Sequence, residues 1–172
     1  MHKNTAYNIF FPIWFLLIFP LMWIVVLPVN FLVDTLVLLI TFKAMKLSGI
    51  KQLYWRSIWM VWGFGFLADL VGAALLFPPN LADIFIPSIS TWVYDNLVAP
   101  LAFNPYTNPF AIVYMLIAIA ISGVGIYFFN LKISLRALEI TSAEKKHIAL
   151  MLALFTAPYV LAIPTQWLYA GL

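Results

Sequence analysis

The sequence predicts an all-α integral membrane protein, a bundle of about five transmembrane helices. Hydrophobic residues make up 65% of its 172 residues, charged residues make up 9%, and the mean hydropathy is +1.03. A soluble domain typically carries about 25% charged residues, so little of this chain can lie in water. We therefore expect a single membrane domain over residues 1–172, without a separate soluble domain.

The first apolar run, from Ala6 to Met45, is long enough for two helices. A helix that crosses the ~30 Å hydrocarbon core needs about 20 residues. Proline is favoured at the first position of a helix and disrupts a helix interior. We therefore predict a break at Pro28, with one helix over about 7–27 and a second over about 29–47. The alternative is a single long, kinked helix preceded by an interfacial segment.

The third predicted helix covers about residues 54–77 and ends at a pair of prolines. The external segment that follows carries only two charges, Asp83 and Asp95. Within it, residues 88–98 have the pattern of a short amphipathic helix. Its apolar side chains can lie in the membrane surface while Asp95 faces water.

Two further helices begin at recognisable cap signals. Asn108 followed by Pro109 is a typical helix start, which predicts a fourth helix over about 109–131. Thr141 and Glu144 have capping-box spacing, which predicts a fifth helix over about 142–170, interrupted by two prolines.

The positions of the basic residues predict the orientation. With five helices and a cytoplasmic N-terminus, all nine Lys and Arg residues fall on the cytoplasmic side, as the positive-inside tendency requires. With four helices, Lys3 alone moves outside. We therefore expect a prokaryotic cytoplasmic membrane protein with its N-terminus inside and its C-terminus outside.

Two carboxyl groups inside the apolar runs define the candidate site. A carboxyl in hydrocarbon costs about 2.5–3.5 kcal/mol on insertion scales, so such residues are usually functional. Asn30, Asp34 and Thr41 share one face of the second predicted helix. Asp69 lies in the third, among small residues that indicate close approach of another helix.

The two carboxyls are expected at similar depth because they are nearly equidistant from the turn near Ile50. No membrane-embedded Lys or Arg is available to neutralise them, which leaves protonation, hydrogen bonding or a bound cation. Two close, buried carboxyls would hold at least one proton tightly. Asp34, Asp69, Asn30 and Thr41 are therefore the predicted ion- or proton-binding residues.

Two further interpretations concern the surroundings of this site. Pro158 deprives the Leu154 carbonyl of its usual helical partner, so that carbonyl could supply another ligand. The second interpretation gives Asn30 and Asp34 a purely structural role and argues against a functional site. If the second helix begins near Val29, Asn30 is only its cap and Asp34 is a shallow first-turn residue.

These features favour a small transporter or channel-type protein that moves a proton, cation or small solute past an intramembrane carboxylate site. Five short-looped helices leave little room for a pathway, so we expect a homo-oligomer or a partner membrane subunit. The alternative is a non-catalytic membrane anchor or assembly subunit of a larger complex.

The chain has no cysteine, which disfavours thiol chemistry. His2 and His147 lie far apart, which disfavours a histidine metal cluster. We predict no cofactor, nucleic-acid partner or catalytic residue.

Overall fold

The computed structural model describes residues 12–169, and this part of the chain is all-α, without a strand. It contains four long helices, which we number α1 (Trp23–Ala44), α2 (Ile50–Leu75), α3 (Pro109–Phe129) and α4 (Ser142–Phe155). The shorter helical pieces are Ile13–Leu16, Pro20–Met22, Pro78–Leu81, Ala82–Phe85, Pro87–Ile89, Ser90–Val93, Tyr94–Val98, Ala99–Phe103, Pro105–Thr107, Asn130–Ser134, Tyr159–Ala162 and Thr165–Tyr169.

Three helical stretches in the described residues are long and apolar enough to cross a membrane. They are Pro20–Ala44, Ile50–Leu81 and Pro109–Ser134, with 25, 32 and 26 residues. Each exceeds the ~20 residues that a ~30 Å hydrocarbon core requires. The described part of the chain is therefore compatible with an integral membrane protein with three candidate transmembrane helices.

The four long helices form a ring. α1 packs on α2 and α4, and α3 packs on the same two helices from the other side. A short turn joins α1 to α2 and makes them antiparallel. Gly49 at this turn has φ of +67°, a left-handed conformation that glycine adopts without steric cost.

One end of the bundle carries the basic residues, and we call it the basic end. α1 and α3 finish there and α2 and α4 begin there, and Arg56 on α2 reaches Glu139 before α4 at 3.4 Å. The opposite end is the far end. It is formed with residues 81–108, which we call the external segment after their predicted location. The described Lys and Arg residues all lie at the basic end: Lys43, Lys46, Lys51, Arg56, Lys132, Arg136, Lys145 and Lys146.

The buried apolar side chains form two clusters, one at each end. The basic-end cluster draws on all four long helices and includes Leu38, Phe42, Ile58, Ile126, Ile148 and Leu152. The far-end cluster includes Trp14, Leu17, Ala73, Leu76, Leu101, Met115 and Leu161. The indole N–H of Trp14 donates to the Leu101 carbonyl at 3.1 Å, which fixes the segment before α1 to the external segment.

The predicted break at Pro28 is wrong, because α1 runs through Pro28 without interruption. A proline inside a helix removes one backbone hydrogen bond. A turn placed in hydrocarbon would expose several unpaired backbone groups, which is worse. The adjacent Leu27 carbonyl also accepts the indole N–H of Trp62 at 2.9 Å, which holds this part of α1 against α2.

α1 joins residues 23–27 of the first predicted helix to most of the second, which is close to the alternative of a single long helix after a short segment. The chain before it consists of Ile13–Leu16 and Pro20–Met22, separated near Pro20. Residues 7–11 of the first predicted helix lie outside the described residues.

The cap signals located the starts of α3 and α4 correctly. The Asn108 side chain accepts the Phe110 N–H at 2.9 Å, and Thr141 and Glu144 form the complete capping box. The predicted interruption of the helix over 142–170 is confirmed, because α4 ends at Phe155 and shorter helical pieces follow at Tyr159–Ala162 and Thr165–Tyr169. Pro158 has no N–H to continue the helix and disfavours helical conformation at the residue before it.

The external segment contains the predicted surface helix, and the helical region is longer than predicted. Helical turns run from Pro87 to Phe103, against the predicted 88–98, with a π-helical stretch at Tyr94–Val98. Asp95 is exposed on it, as its amphipathic pattern predicts.

Candidate functional site

Two residues from α1 and two from α2 meet inside the bundle. Asn30 and Asp34 are one turn apart on α1, and Gly65 and Asp69 are one turn apart on α2. Since the helices are antiparallel, Asn30 faces Asp69 and donates its amide N–H to an Asp69 carboxyl oxygen. Asp34 faces Gly65, where an added Cβ would lie 3.1 Å from Asp34 Oδ2. The two carboxyls therefore lie on adjacent levels of the bundle, one helical turn apart.

Both carboxyls are buried and incompletely hydrogen-bonded. Asp34 is 2% exposed and Asp69 is 6% exposed. Oδ2 of Asp34 and Oδ1 of Asp69 have no hydrogen-bond partner. A buried charge without a partner is strongly unfavourable, which favours protonated carboxyls or a bound cation over two free carboxylates.

The carboxyls line a cavity of about 350 Å³ between α1, α2 and the segment that follows α4. No Lys or Arg lines it. Its polar contributors are Asn30, Asp34, Asp69 and Thr156, with Tyr159 at its edge. The rest of the wall is mainly aliphatic: Leu17, Val25, Val26, Val29, Val33, Ala157 and Val160.

The end of α4 places Thr156 beside the carboxyl of Asp34. The Thr156 hydroxyl donates to the Leu152 carbonyl at 2.9 Å. A hydroxyl has one proton, so rotation about its side chain would redirect that proton from the carbonyl to the carboxylate. Thr156 is thus a potential donor to an ionised Asp34.

The Leu154 carbonyl is not the free ligand that Pro158 suggested. Its missing helical donor is replaced by the Tyr159 hydroxyl, which donates to it at 2.6 Å. The expectation overlooked that a nearby side chain can satisfy a carbonyl which proline leaves unpaired.

Gly72, one turn beyond Asp69 on α2, allows two other elements to approach closely. A Cβ at Gly72 would lie 2.6 Å from Ser122 Oγ on α3 and 3.2 Å from Pro158 Cγ. The break after α4 is therefore packed against α2 at nearly the level of the carboxyls. This packing agrees with the close helix approach that the small residues around Asp69 predict.

Thr41 does not line the cavity, although it shares a helix face with Asp34. It lies seven residues further along α1, about 10 Å away at 1.5 Å per residue. It is buried towards the basic end. Helical periodicity assigned its face correctly but carried no information about which level of the bundle contains the cavity.

The alternative in which Asn30 caps a helix and Asp34 lies in its first turn is wrong. α1 begins at Trp23, with Met22 at the cap position. Asp34 is therefore about three turns inside the helix. Its burial cannot be explained by a shallow position at a helix start.

Thr156 was missed by the sequence analysis, although a polar residue two positions before Pro158 in an apolar run is a usable signal. A second buried polar pair was also missed. Asn130 Oδ1 and Ser134 Oγ lack partners, and the two residues are one turn apart in the π-helical stretch after α3. This pair lies at the basic end and outside the cavity.

No protein-family model, curated protein or solved structure matches the chain. The functional assignment therefore rests on the geometry of the site.

Proposed function

We propose that the chain is a small membrane transporter or channel-type protein that binds a proton, cation or small solute at Asp34 and Asp69. The observation that carries this proposal is the pair of unpartnered, buried carboxyl oxygens beside a cavity without a basic residue. Intramembrane carboxyls without a counter-charge commonly mark proton and ion pathways. Thr41, included in the predicted site, lies outside the cavity towards the basic end and is not part of the proposed site.

We propose four membrane crossings for the described residues: α1, α2, α3 and the broken segment from α4 to Tyr169. A fifth crossing and the predicted cytoplasmic N-terminus depend on residues 1–11, outside the described residues. The basic end would face the cytoplasm of a prokaryotic cell. The crossing that begins with α4 would then end outside, at Tyr169. Asp34 is nine residues from Lys43, or about 14 Å along α1, close to the middle of a ~30 Å core.

A partner membrane subunit or a second copy of the chain remains part of the proposal. α1 is the least buried candidate span, and its exposed side chains are apolar except Lys43 at the basic end. Such a face fits the lipid bilayer or another membrane helix. It equally supports the alternative function, a membrane anchor or assembly subunit of a larger complex.

The transport proposal is tested by proton and cation flux into liposomes that contain the purified chain. Asp34→Asn and Asp69→Asn should each abolish flux driven by an imposed pH or cation gradient, because the substitutions remove the ionisable groups. Asp95→Asn, in the exposed external segment, is the matched control and should retain wild-type flux. Unchanged flux in both site variants would contradict the proposal.

The assembly alternative makes a different prediction. Purification in a gentle detergent should then retrieve a stoichiometric partner, and the reconstituted chain should show no gradient-driven flux. Recovery of the isolated chain across several detergents would count against it.

A further inference from the structure

We infer that the cavity binds an amphiphilic organic cation, an ammonium group that carries a short hydrocarbon tail. This inference rests on the proposed function, because it names the substrate class of the same site. It draws on three observations: the size of the cavity, the chemistry of its wall and the position of its opening.

The cavity is too large and too apolar for a proton or bare ion alone. Its volume of about 350 Å³ is roughly ten times the ~30 Å³ that one water molecule occupies. It falls within the ~300–1,000 Å³ range of small-molecule sites, which are mostly apolar with few polar groups. Here the aliphatic wall is formed mainly by α1, including Val25, Val26, Val29 and Val33.

The polar groups fit an ammonium better than a divalent metal ion. Calcium takes six to eight oxygen ligands in proteins, and magnesium requires an octahedral set. The described residues contain no group of three or more His, Cys, Asp or Glu side chains that could hold a metal. An ammonium group, by contrast, has N–H donors for the carboxyl groups of Asp34 and Asp69, both of which line the cavity.

The opening lies on the side of the bundle. Val25 and Val29 on α1 are 63% and 50% exposed, and Phe155 and Tyr159 across the cavity are 62% and 50% exposed. These residues lie along the helices, away from the basic end, at depths where a membrane protein meets hydrocarbon. A neutral amine dissolved in the bilayer can therefore enter laterally.

Charge balance is maintained inside the cavity. The nitrogen lone pair of the amine takes the proton of one carboxylic acid, so that an O–H bond breaks and an N–H bond forms. The products are a carboxylate and an ammonium ion, which pair in the cavity. No further reactant is needed.

The test is calorimetric titration of the purified full-length chain in lipid nanodiscs with three probes. Hexylammonium carries both charge and tail, methylammonium carries the charge alone, and hexan-1-ol carries the tail alone. Hexylammonium should bind at least about 10-fold more tightly than either, as a charge-assisted hydrogen bond and a buried tail each contribute. Between methyl- and hexylammonium, each added methylene should improve affinity about 3- to 4-fold.

The variants separate site binding from partition into lipid. Asp34→Asn and Asp69→Asn should each weaken hexylammonium binding roughly 10- to 100-fold, the range for loss of a charged hydrogen bond. Asp95→Asn should leave it unchanged. Gel filtration and circular dichroism check that each variant is folded.

A second pair of variants tests the wall without touching a carboxyl. Val29→Phe should narrow the opening and weaken hexylammonium more than methylammonium. Val113→Phe introduces the same change on α3, at a residue that is 56% exposed and does not line the cavity. It should have no effect.

The inference is overturned if methylammonium or hexan-1-ol binds as tightly as hexylammonium, or if hexylammonium binding survives both Asn substitutions. These outcomes are separable from failure of the proposed function. Aspartate-dependent proton flux without amine binding would refute the substrate class and leave transport standing. Aspartate-dependent amine binding without any flux would support the site and refute transport.

Discussion

The two ends of the bundle pack the same four helices in different ways. At the basic end, all four long helices contribute buried side chains to one cluster, including Phe42 of α1 and Leu152 of α4. At the far end, none of the buried residues in the described cluster comes from α1 or α4. Their places are taken by Trp14 and Leu17 before α1 and by Ala157 and Leu161 after α4.

This difference explains where the cavity forms. α4 ends at Phe155, and the part of α1 beyond Asp34 supplies no fully buried residue to the far-end cluster. The short segments before α1 and after α4 leave a cavity there. The carboxyls lie at this transition. The basic end is thus packed by all four long helices, while the cavity opens where two of them no longer contribute buried residues.

The largest expected effect on stability comes from closing the tightest contact at this transition. Gly72→Ala would place a Cβ 2.6 Å from Ser122 Oγ, with Leu161 and Pro158 also within 3.2 Å. Overpacking of this kind costs about 1–3 kcal/mol. Thermal unfolding in detergent, followed by circular dichroism, should show a lowered midpoint.

Gly63→Ala is the matched control, because a Cβ at Gly63 meets nothing within 4 Å. It lies on the same helix and should not lower the unfolding midpoint, since alanine favours helix over glycine by about 1 kcal/mol. If both substitutions lowered it equally, close packing at Gly72 would not be the cause.

A somewhat smaller effect is expected at the contact between α1 and α2. Asn30→Ala removes the hydrogen bond to Asp69 and leaves a second unpartnered oxygen on a buried carboxyl. A buried polar group that loses its partner costs about 1–3 kcal/mol, less if a proton or water replaces it. Unfolding in detergent should be easier for this variant. A midpoint equal to wild type would show that the Asn30–Asp69 hydrogen bond adds no stability.

The smallest effect is expected at Pro28. Pro28→Ala restores an N–H that can bond to the Ile24 carbonyl, and α1 is already helical there. The variant should therefore fold, with stability equal to or slightly above wild type. Loss of the folded bundle in gel filtration would mean that Pro28 terminates a helix, as the sequence suggested, and that α1 is not continuous.

The sequence was informative where structure depends on neighbouring residues. Asn108 and Thr141 mark helix starts because each side chain accepts an N–H two or three residues away. Pairing of the aspartate-bearing helices also followed, since Asp34 and Asp69 are similarly distant from one turn. These features require no knowledge of tertiary packing.

The sequence was misleading where the surroundings decide the outcome. Whether a helix continues through Pro28 depends on the cost of leaving the backbone groups of a turn unpaired in hydrocarbon. Local helix propensity does not include that cost. Thr41 was assigned to the site because helical periodicity shows which face of α1 it lies on. Periodicity does not show at which depth in the bundle the cavity lies. Thr156 was missed because nothing local to α4 shows that its end meets Asp34.

The central claim is that Asp34 and Asp69 together hold a proton or a cation in the interior of the bundle. Infrared spectroscopy of the purified chain, free of added cations, tests it directly through the carbonyl stretch of protonated carboxyl groups. We predict such a band at neutral pH, its loss in the double variant Asp34→Asn, Asp69→Asn, and its retention in Asp95→Asn. Absence of the band from the wild-type protein, or its persistence in the double variant, would contradict the claim.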